Sequence, residues 1–430
     1  MAQESIAQQA SDISAQNVRA NELATAWLDS VDISLLTCGP GQEIWSYYGH
    51  TALRIQDKVH DTDVAVNWGM FSFRQSYFVL RFVFGLTDYQ IGIFPMSDFL
   101  AEYASENRWV KQQRIRLSRD EKLKILRAIE ENAQPENRTY RYNYFYDNCT
   151  TRAREMILAN IGGNTSLKDT STPSSYRSEI HKLNENHRWA RFGNDLLLGF
   201  LADKPISQKE WEFLPDNLSK DFETEGRTDF ANDSQVDGIS DVAQTKDIIT
   251  LVDNTTYLIP PHVQAASYDT FTPKALFLAI SIIILTLSIY EVYTKKNFWW
   301  LDAILFLLTG VPGLILFAMI FSQHPTVQIN FQLLILNPLN LIFAWQTIKN
   351  LRKGKIHWYY EVWDLMLILA IFLQIWQQYA EGISILALSL LIRHIGKVSF
   401  TDLLSRKHTP SQYIKKQFGY PKRTLRNIRK

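Results

Sequence analysis

Apolar and polar positions divide this chain near residue 270. Before it they alternate or recur at helical spacing, and after it come apolar stretches dominated by Leu, Ile, Phe and Trp. Residues 31–37 read as a strand, Gly39-Pro40-Gly41 as a turn, and 45–49 as the lead into a second strand, 50–55. Residues 56–60 break the pattern and 62–68 alternate again, which predicts a hairpin. Centred near Lys58 and Val59, it sets His50 directly opposite Asn67, with the two Cβ atoms about 5 Å apart. A one-residue slip would turn Asn67 to the other face. Residues 71–94 are rich in Phe and Tyr, which suits a core or an apolar surface for acyl chains. Residues 118–132 have helical spacing, and Ser118 with Glu121 forms a capping-box pattern. After the mixed aromatic and polar run 138–146, residues 150–161 read as an amphipathic helix closed by Gly162-Gly163. Residues 220–247 are acidic and read as a solvated segment.

Five apolar stretches follow, at about 275–293, 298–321, 331–348, 359–376 and 383–395. The first two have the length of a bilayer span, whereas the third and fifth are short and polar at their edges. One of the short ones could be a buried or interfacial segment instead. Aromatic residues such as Trp299, Trp345, Trp358 and Tyr359 gather at the ends, as in an interfacial belt. Lys295, Lys296, Lys349, Arg352, Lys353, Lys355 and the tail from Lys397 onward fall in alternate connections. That places those connections in the cytoplasm and residues 1–270 outside it. The expected organisation is a polar segment 1–30, a periplasmic domain 31–270, a membrane domain 271–397 and a basic cytoplasmic tail 398–430. The polar start carries no signal peptide, so export implies that one precedes Met1 or was replaced.

The net charge is +1 and the mean hydropathy slightly negative only because two unlike halves cancel. No phosphate-binding loop, dinucleotide fingerprint or zinc motif is present, which argues against nucleotide, nucleic-acid and metal chemistry. Two cysteines remain, Cys38 and Cys149. Cys149 lies at or just before the start of the helix that follows it, where unpaired N–H groups and the helix dipole favour a thiolate. Those N–H groups could form part of an oxyanion hole. His50 is the candidate base and Asn67 the residue that would fix its tautomer. Two other readings stay open on spacing alone: a buried structural thiol, or a Cys38–Cys149 disulfide.

Three strings carry a family resemblance: Tyr47-Tyr48-Gly49-His50-Thr51-Ala52-Leu53-Arg54-Ile55, Asn67-Trp68-Gly69 with Phe71 and Phe73, and Asp147-Asn148-Cys149-Thr150-Thr151-Arg152. They resemble the Lnb-type lipoprotein N-acyltransferases of Gram-negative bacteria. Phe213-Leu214-Pro215-Asp216, His324-Pro325, Asn330 and Asn337-Pro338 look like the same family. The order His before Cys also resembles circularly permuted papain-like enzymes, including lecithin:retinol acyltransferase. The resemblance implies an α+β permuted papain-like domain followed by an all-α transmembrane domain of about five helices. It implies acyl transfer from a membrane phospholipid, through a Cys149 thioester, to the α-amine of a diacylated lipoprotein, without metal or organic cofactor. Tyr47, Asn148 and Arg152 would then shape the site or contact a headgroup, and His324 could line a substrate entry, although a loop His is ordinarily just solvated. Arg54 reads as a structural ion pair. A cell-wall cysteine peptidase or amidase, and a lipoprotein-binding scaffold held by a Cys38–Cys149 bridge, are the competing functions.

Overall fold

The computed structural model describes residues 25–71, 76–162, 174–224, 226–227, 249–262 and 269–407. The start of the polar segment, Phe73, Gly163, most of the acidic run and the tail from residue 408 lie outside the described residues. The chain forms two compact units, Met1–Asn186 with Lys204–Ser267, and His187–Asp203 with Tyr268–Lys430.

The first unit is built on an antiparallel sheet. Its strands are β1 (Val31–Cys38), β2 (His50–Asp57), β3 (Thr62–Met70), β4 (Asp88–Pro95), β5 (Val110–Ile115), β6 (Thr139–Arg141) and, after a two-stranded ribbon of β7 (Gly226–Arg227) with β8 (Ile249–Thr250), β9 (Val252–Ile259). The order across the sheet is β6-β4-β3-β2-β1-β5-β9. Side-chain alternation sends Val31, Ile33 and Leu35 of β1 to one face, with Leu53, Ile55, Val66 and Trp68. There they pack on Ile125 and Ile129 of helix Arg119–Ala133, Ala153 and Ile157 of helix Cys149–Leu158, and Leu218 and Phe222 of helix Pro215–Thr224. Leu36, Cys38, Ala52 and Ala65 face the other way, under Phe99 and Tyr103 of helix Met96–Ser105. The Ser118 cap forms as the sequence reads: its side chain accepts from the Glu121 N–H, and the Glu121 carboxylate accepts from the Ser118 N–H at 2.9 Å.

The hairpin register differs from the simple expectation. Asp57 pairs with Thr62, so the turn holds four residues and Ala52 stands opposite Asn67. The Asp57 carboxylate accepts from the Val59 and His60 N–H groups, and Asp61 takes a left-handed φ of 51°, which together fix the longer turn. His50 is therefore diagonal to Asn67. The shift is two residues, so both still project from the same face.

The second unit is helical. Helices Pro273–Thr294, Trp299–Met319, Leu339–Arg352, Trp358–Leu373 and Ile383–Lys407 follow the five apolar stretches. Three segments are long and apolar enough to cross a membrane: Pro273–Thr294, Trp299–Met319 and Pro325–Arg352. The last is interrupted by a short 3-10 turn, Phe331–Leu334, and by Asn337-Pro338. The interruption leaves backbone groups that side chains satisfy. The Phe331 N–H donates to Gln377 Oε1 at 2.7 Å, and Gln332 Nε2 donates to the Asp195 carbonyl at 2.9 Å. Bonds of this kind draw His187–Asp203 into the helical unit. Lys397, which the sequence counts with the basic tail, is buried. It pairs with Glu291 and lies 3.4 Å from Asp302, beside Arg393, which bonds Asp302 at 2.8 Å and Glu291 at 3.2 Å. Four charges removed from solvent together neutralise one another.

Candidate active site

Asn148 starts the helix Cys149–Leu158 from extended backbone, so Cys149 occupies its first position. The Asn148 side-chain oxygen accepts from the Thr150 N–H at 2.8 Å and the Thr151 N–H at 2.9 Å, and its amide donates to the carbonyls of Tyr144 and Phe213 at 2.9 and 3.0 Å. These bonds make the Asn148 side chain the cap of the helix. They also occupy two of the helix-end N–H groups that the sequence offers for an oxyanion hole. Arg152 grips Asp147 with two bonds of 2.5 and 2.7 Å, and its guanidinium lies 4.1 Å from the centre of the Tyr140 ring. It is engaged in holding the loop before the cysteine. Arg54 pairs with Asp63 and donates to Gln112 at 2.8 Å.

His50 enters β2 immediately after Gly49, whose φ of 74° suits glycine and whose added Cβ would lie 2.7 Å from the Cys38 carbonyl oxygen. The His50 Nε2 is 2.8 Å from Asn67 Oδ1, and the Gly69 N–H donates to the same oxygen at 2.7 Å. A backbone N–H can only meet an acceptor, so the Gly69 contact fixes which way the Asn67 amide points. The oxygen cannot donate, so Nε2 must carry the ring proton. His50 and Cys149 act on one another electrostatically, and with Nε2 engaged by Asn67 it is Nδ1 that is left to serve the thiol. Burial alone would push the Cys149 thiol up. The charge and hydrogen bond of His50, the Thr51 N–H and the Thr150 hydroxyl outweigh it and hold the thiol down at about 7. Burial lowers His50, but the facing thiolate and the bond to Asn67 raise it above its ordinary value overall. Near neutral pH an appreciable fraction of the thiol is thus ionised.

Three contributors escape a reading for Cys, His and a third polar residue. The Thr51 and Thr150 hydroxyls meet at 3.0 Å in a buried contact that ties the histidine strand to the cysteine helix. Their signal was adjacency, since each follows a candidate catalytic residue. Gly69 is the third. A Cβ there would sit 2.7 Å from His50 Cε1 and 3.1 Å from Asn67 Oδ1. Gly69→Ala is expected to displace the imidazole and slow Cys149 chemistry by about 10²-fold. Single-turnover rates for Gly69→Ala, with thermal melting as the control for fold, check this. A rate within a factor of about three of the parent would contradict the close packing.

Beside the thiol, Phe71, Tyr89 and Tyr142 stack with ring centres 4.8 and 4.0 Å apart, and Cys149 packs against the same core. Part of the aromatic run thus forms an apolar wall. Both cysteines are free thiols, so no Cys38–Cys149 bridge supports the scaffold reading. Cys38 is buried, and that burial pushes its thiol up to about 12, which leaves it protonated and unreactive. Tyr47 is half-buried just after the turn Ile44–Ser46. His324 belongs to the helical unit. It is 3% exposed, so it is not a solvated loop residue, and its N–H donates to Ser322 Oγ at 3.2 Å.

No curated protein and no solved structure matches the chain. Residues 19–182 match the Lnb N-terminal periplasmic domain, and residues 265–403 match the Lnb transmembrane domain. Each match falls on one of the two architectures described above, the sheet with its helices and the apolar helices that follow. The chain therefore belongs to the Lnb-type family, with a periplasmic domain of sheet and helices followed by a helical membrane region.

Proposed function

We propose that this protein is a lipoprotein N-acyltransferase that carries an acyl chain from a membrane phospholipid to the α-amine of a diacylglyceryl-cysteine lipoprotein. The observation that supports this most is the half-buried Cys149–His50–Asn67 chain of contacts in a protein whose other half is apolar helix. In the first step Cys149 Sγ, as thiolate, attacks the phospholipid ester carbonyl. The C–O bond breaks, and His50 Nδ1–H gives its proton to the departing glycerol oxygen, releasing a lysophospholipid and leaving a thioester. The Thr51 N–H, which points at the sulfur, is a donor for the oxyanion. In the second step the lipoprotein amine, with a pKa near roughly 8 and so partly neutral at working pH, attacks the thioester. The S–C bond breaks, His50 takes the amine proton, and the thiolate returns.

Asn67 holds the imidazole in the tautomer this sequence requires. The stacked Phe71, Tyr89 and Tyr142 support water exclusion around the thioester. Among the proposed substrate contacts, Tyr47 stays a candidate through its place three residues before His50, and His324 through its place after the second span. The topology proposed is an inner-membrane protein of five spans, with the catalytic domain in the periplasm and the C-terminus in the cytoplasm.

The test is transfer itself. The full chain in lipid vesicles receives a phospholipid with labelled acyl chains and a synthetic diacylglyceryl-cysteine peptide. The expected products are lysophospholipid and an N-acylated peptide in equal amounts. Release of label only as free fatty acid, or cleavage of cell-wall peptide in place of transfer, would assign the site to hydrolysis.

A further inference from the structure

Glu212 is 1% exposed, beneath the cysteine helix and just before the helix Pro215–Thr224. Its Oε2 accepts from Arg154 Nη1 at 3.0 Å, whereas its buried Oε1 meets no donor among the described residues. The Asp221 side chain lies against it, 6% exposed, and Asp221 Oδ2 accepts from Gln208 Nε2 at 3.0 Å. Two buried carboxylates in contact repel unless a proton lies between them. A proton there turns Oε1 into one half of an O–H···O bond and removes the orphan. Arg154 cannot neutralise both acids, because its Nε and Nη2 are bonded to Glu155 at 3.2 and 2.7 Å. Lys209 lies 3.0 Å from that same Glu155, while the Glu210 carboxylate accepts from the Ser207 N–H and hydroxyl at 2.8 Å and Glu179 accepts from Asn217.

The pair is placed to act on the nucleophile. Arg154 stands on the cysteine helix, and the residue after Glu212 is Phe213, whose carbonyl accepts from the Asn148 cap. Two residues further, Pro215 packs near Gly49, the residue before His50. We propose that Glu212 is a positioning residue for Cys149, sharing one proton with Asp221 while its other oxygen holds Arg154 of the cysteine helix. This rests on Cys149 being the nucleophile and extends that reading to what fixes the nucleophile in place. Burial, then the bond to Asp221, hold the Glu212 carboxyl up at about 9 against the pull of Arg154. The proton is therefore kept through neutral pH and lost in the alkaline range, where the clasp opens.

Two measurements on the full chain in detergent test this, comparing parent, Glu212→Gln and Glu212→Ala. The first is the pH midpoint of Cys149 alkylation by iodoacetamide, read by mass spectrometry of the Cys149 peptide. Glu212→Ala is expected to raise the midpoint by about one unit, and Glu212→Gln, which can donate to Asp221 and accept from Arg154, to leave it in place. The second is amide hydrogen exchange in residues 149–158. Parent and Glu212→Gln are expected to match at pH 7, and the parent to exchange about tenfold faster at pH 10. A Gln variant that behaves like the Ala variant at pH 7, or a parent that still matches the Gln variant at pH 10, overturns the shared proton. If Glu212→Ala does not fold, the parent and Gln comparison decides alone. Neither readout needs acyl transfer, so failure of the transfer assay leaves this test intact.

Discussion

Cys149→Ser is expected to abolish acyl-enzyme formation, lowering the single-turnover rate by roughly 10⁴-fold or more. That fold-change corresponds to about 5.5 kcal/mol of lost barrier reduction. The reason is ionisation rather than size. His50, the Thr51 N–H and the Thr150 hydroxyl hold the thiol at about 7, whereas a serine hydroxyl in the same place keeps its proton. The half-buried sulfur contributes little to the core, so the melting temperature should move by less than about 1 kcal/mol in stability terms. Labelled phospholipid, followed by hydroxylamine treatment, gives the readout: label released from the parent, none bound to the serine variant. A labelled, hydroxylamine-sensitive adduct that persists in Cys149→Ser would place the nucleophile elsewhere. Cys38→Ser is the matched control, because a buried thiol held near 12 has no part in the chemistry.

Much of this site could be read from the chain before any coordinates. Periodicity placed β1, β2 and β3, and the Ser118 cap followed from the spacing of two residues. Cys149 at a helix start followed from an apolar 3.6-residue repeat after a polar loop. What periodicity could not give was register. Turn length depends on the Asp57 carboxylate capping the turn and on Asp61 accepting a left-handed conformation, and neither leaves a period-two signal. The diagonal His50–Asn67 contact survived only because the shift was even. The Asn148 cap also went unread, since a polar residue beside a nucleophile looks like a substrate contact. Its bonds to Tyr144 and Phe213 reach across the fold, and no local pattern shows them. In the helical unit, Glu291 and Asp302 lie on different helices from Lys397 and far from it in sequence. Packing brings them together with Arg393, and hydropathy counts do not see partners more than ninety residues apart in sequence.

His50→Ala should be nearly as damaging, with acyl-enzyme formation slowed by about 10³–10⁴-fold. Two losses combine. The thiol loses the positive neighbour that lowers it, so its value rises and the thiolate fraction at pH 7 falls. The departing glycerol oxygen also loses its acid. These separate experimentally, because alkylation needs only the thiolate and acyl transfer needs both. Alkylation of Cys149 at pH 7 should slow by about tenfold or more in His50→Ala, with its midpoint moved to higher pH. Acylation should fall much further, and its pH profile should change shape. In the parent the rate rises as the thiol ionises near pH 7 and declines as the raised imidazolium loses its proton at higher pH. Coupling means these limbs belong to the pair rather than to either residue. Without His50 the declining limb has no group to titrate and should vanish. Asn67→Ala keeps the imidazole but frees its orientation, so it should retain both limbs at a rate lower by about 10–10²-fold. An alkylation midpoint in His50→Ala equal to the parent's would show that the imidazole does not act on the sulfur, and the proposed roles of His50 and Asn67 would fall together.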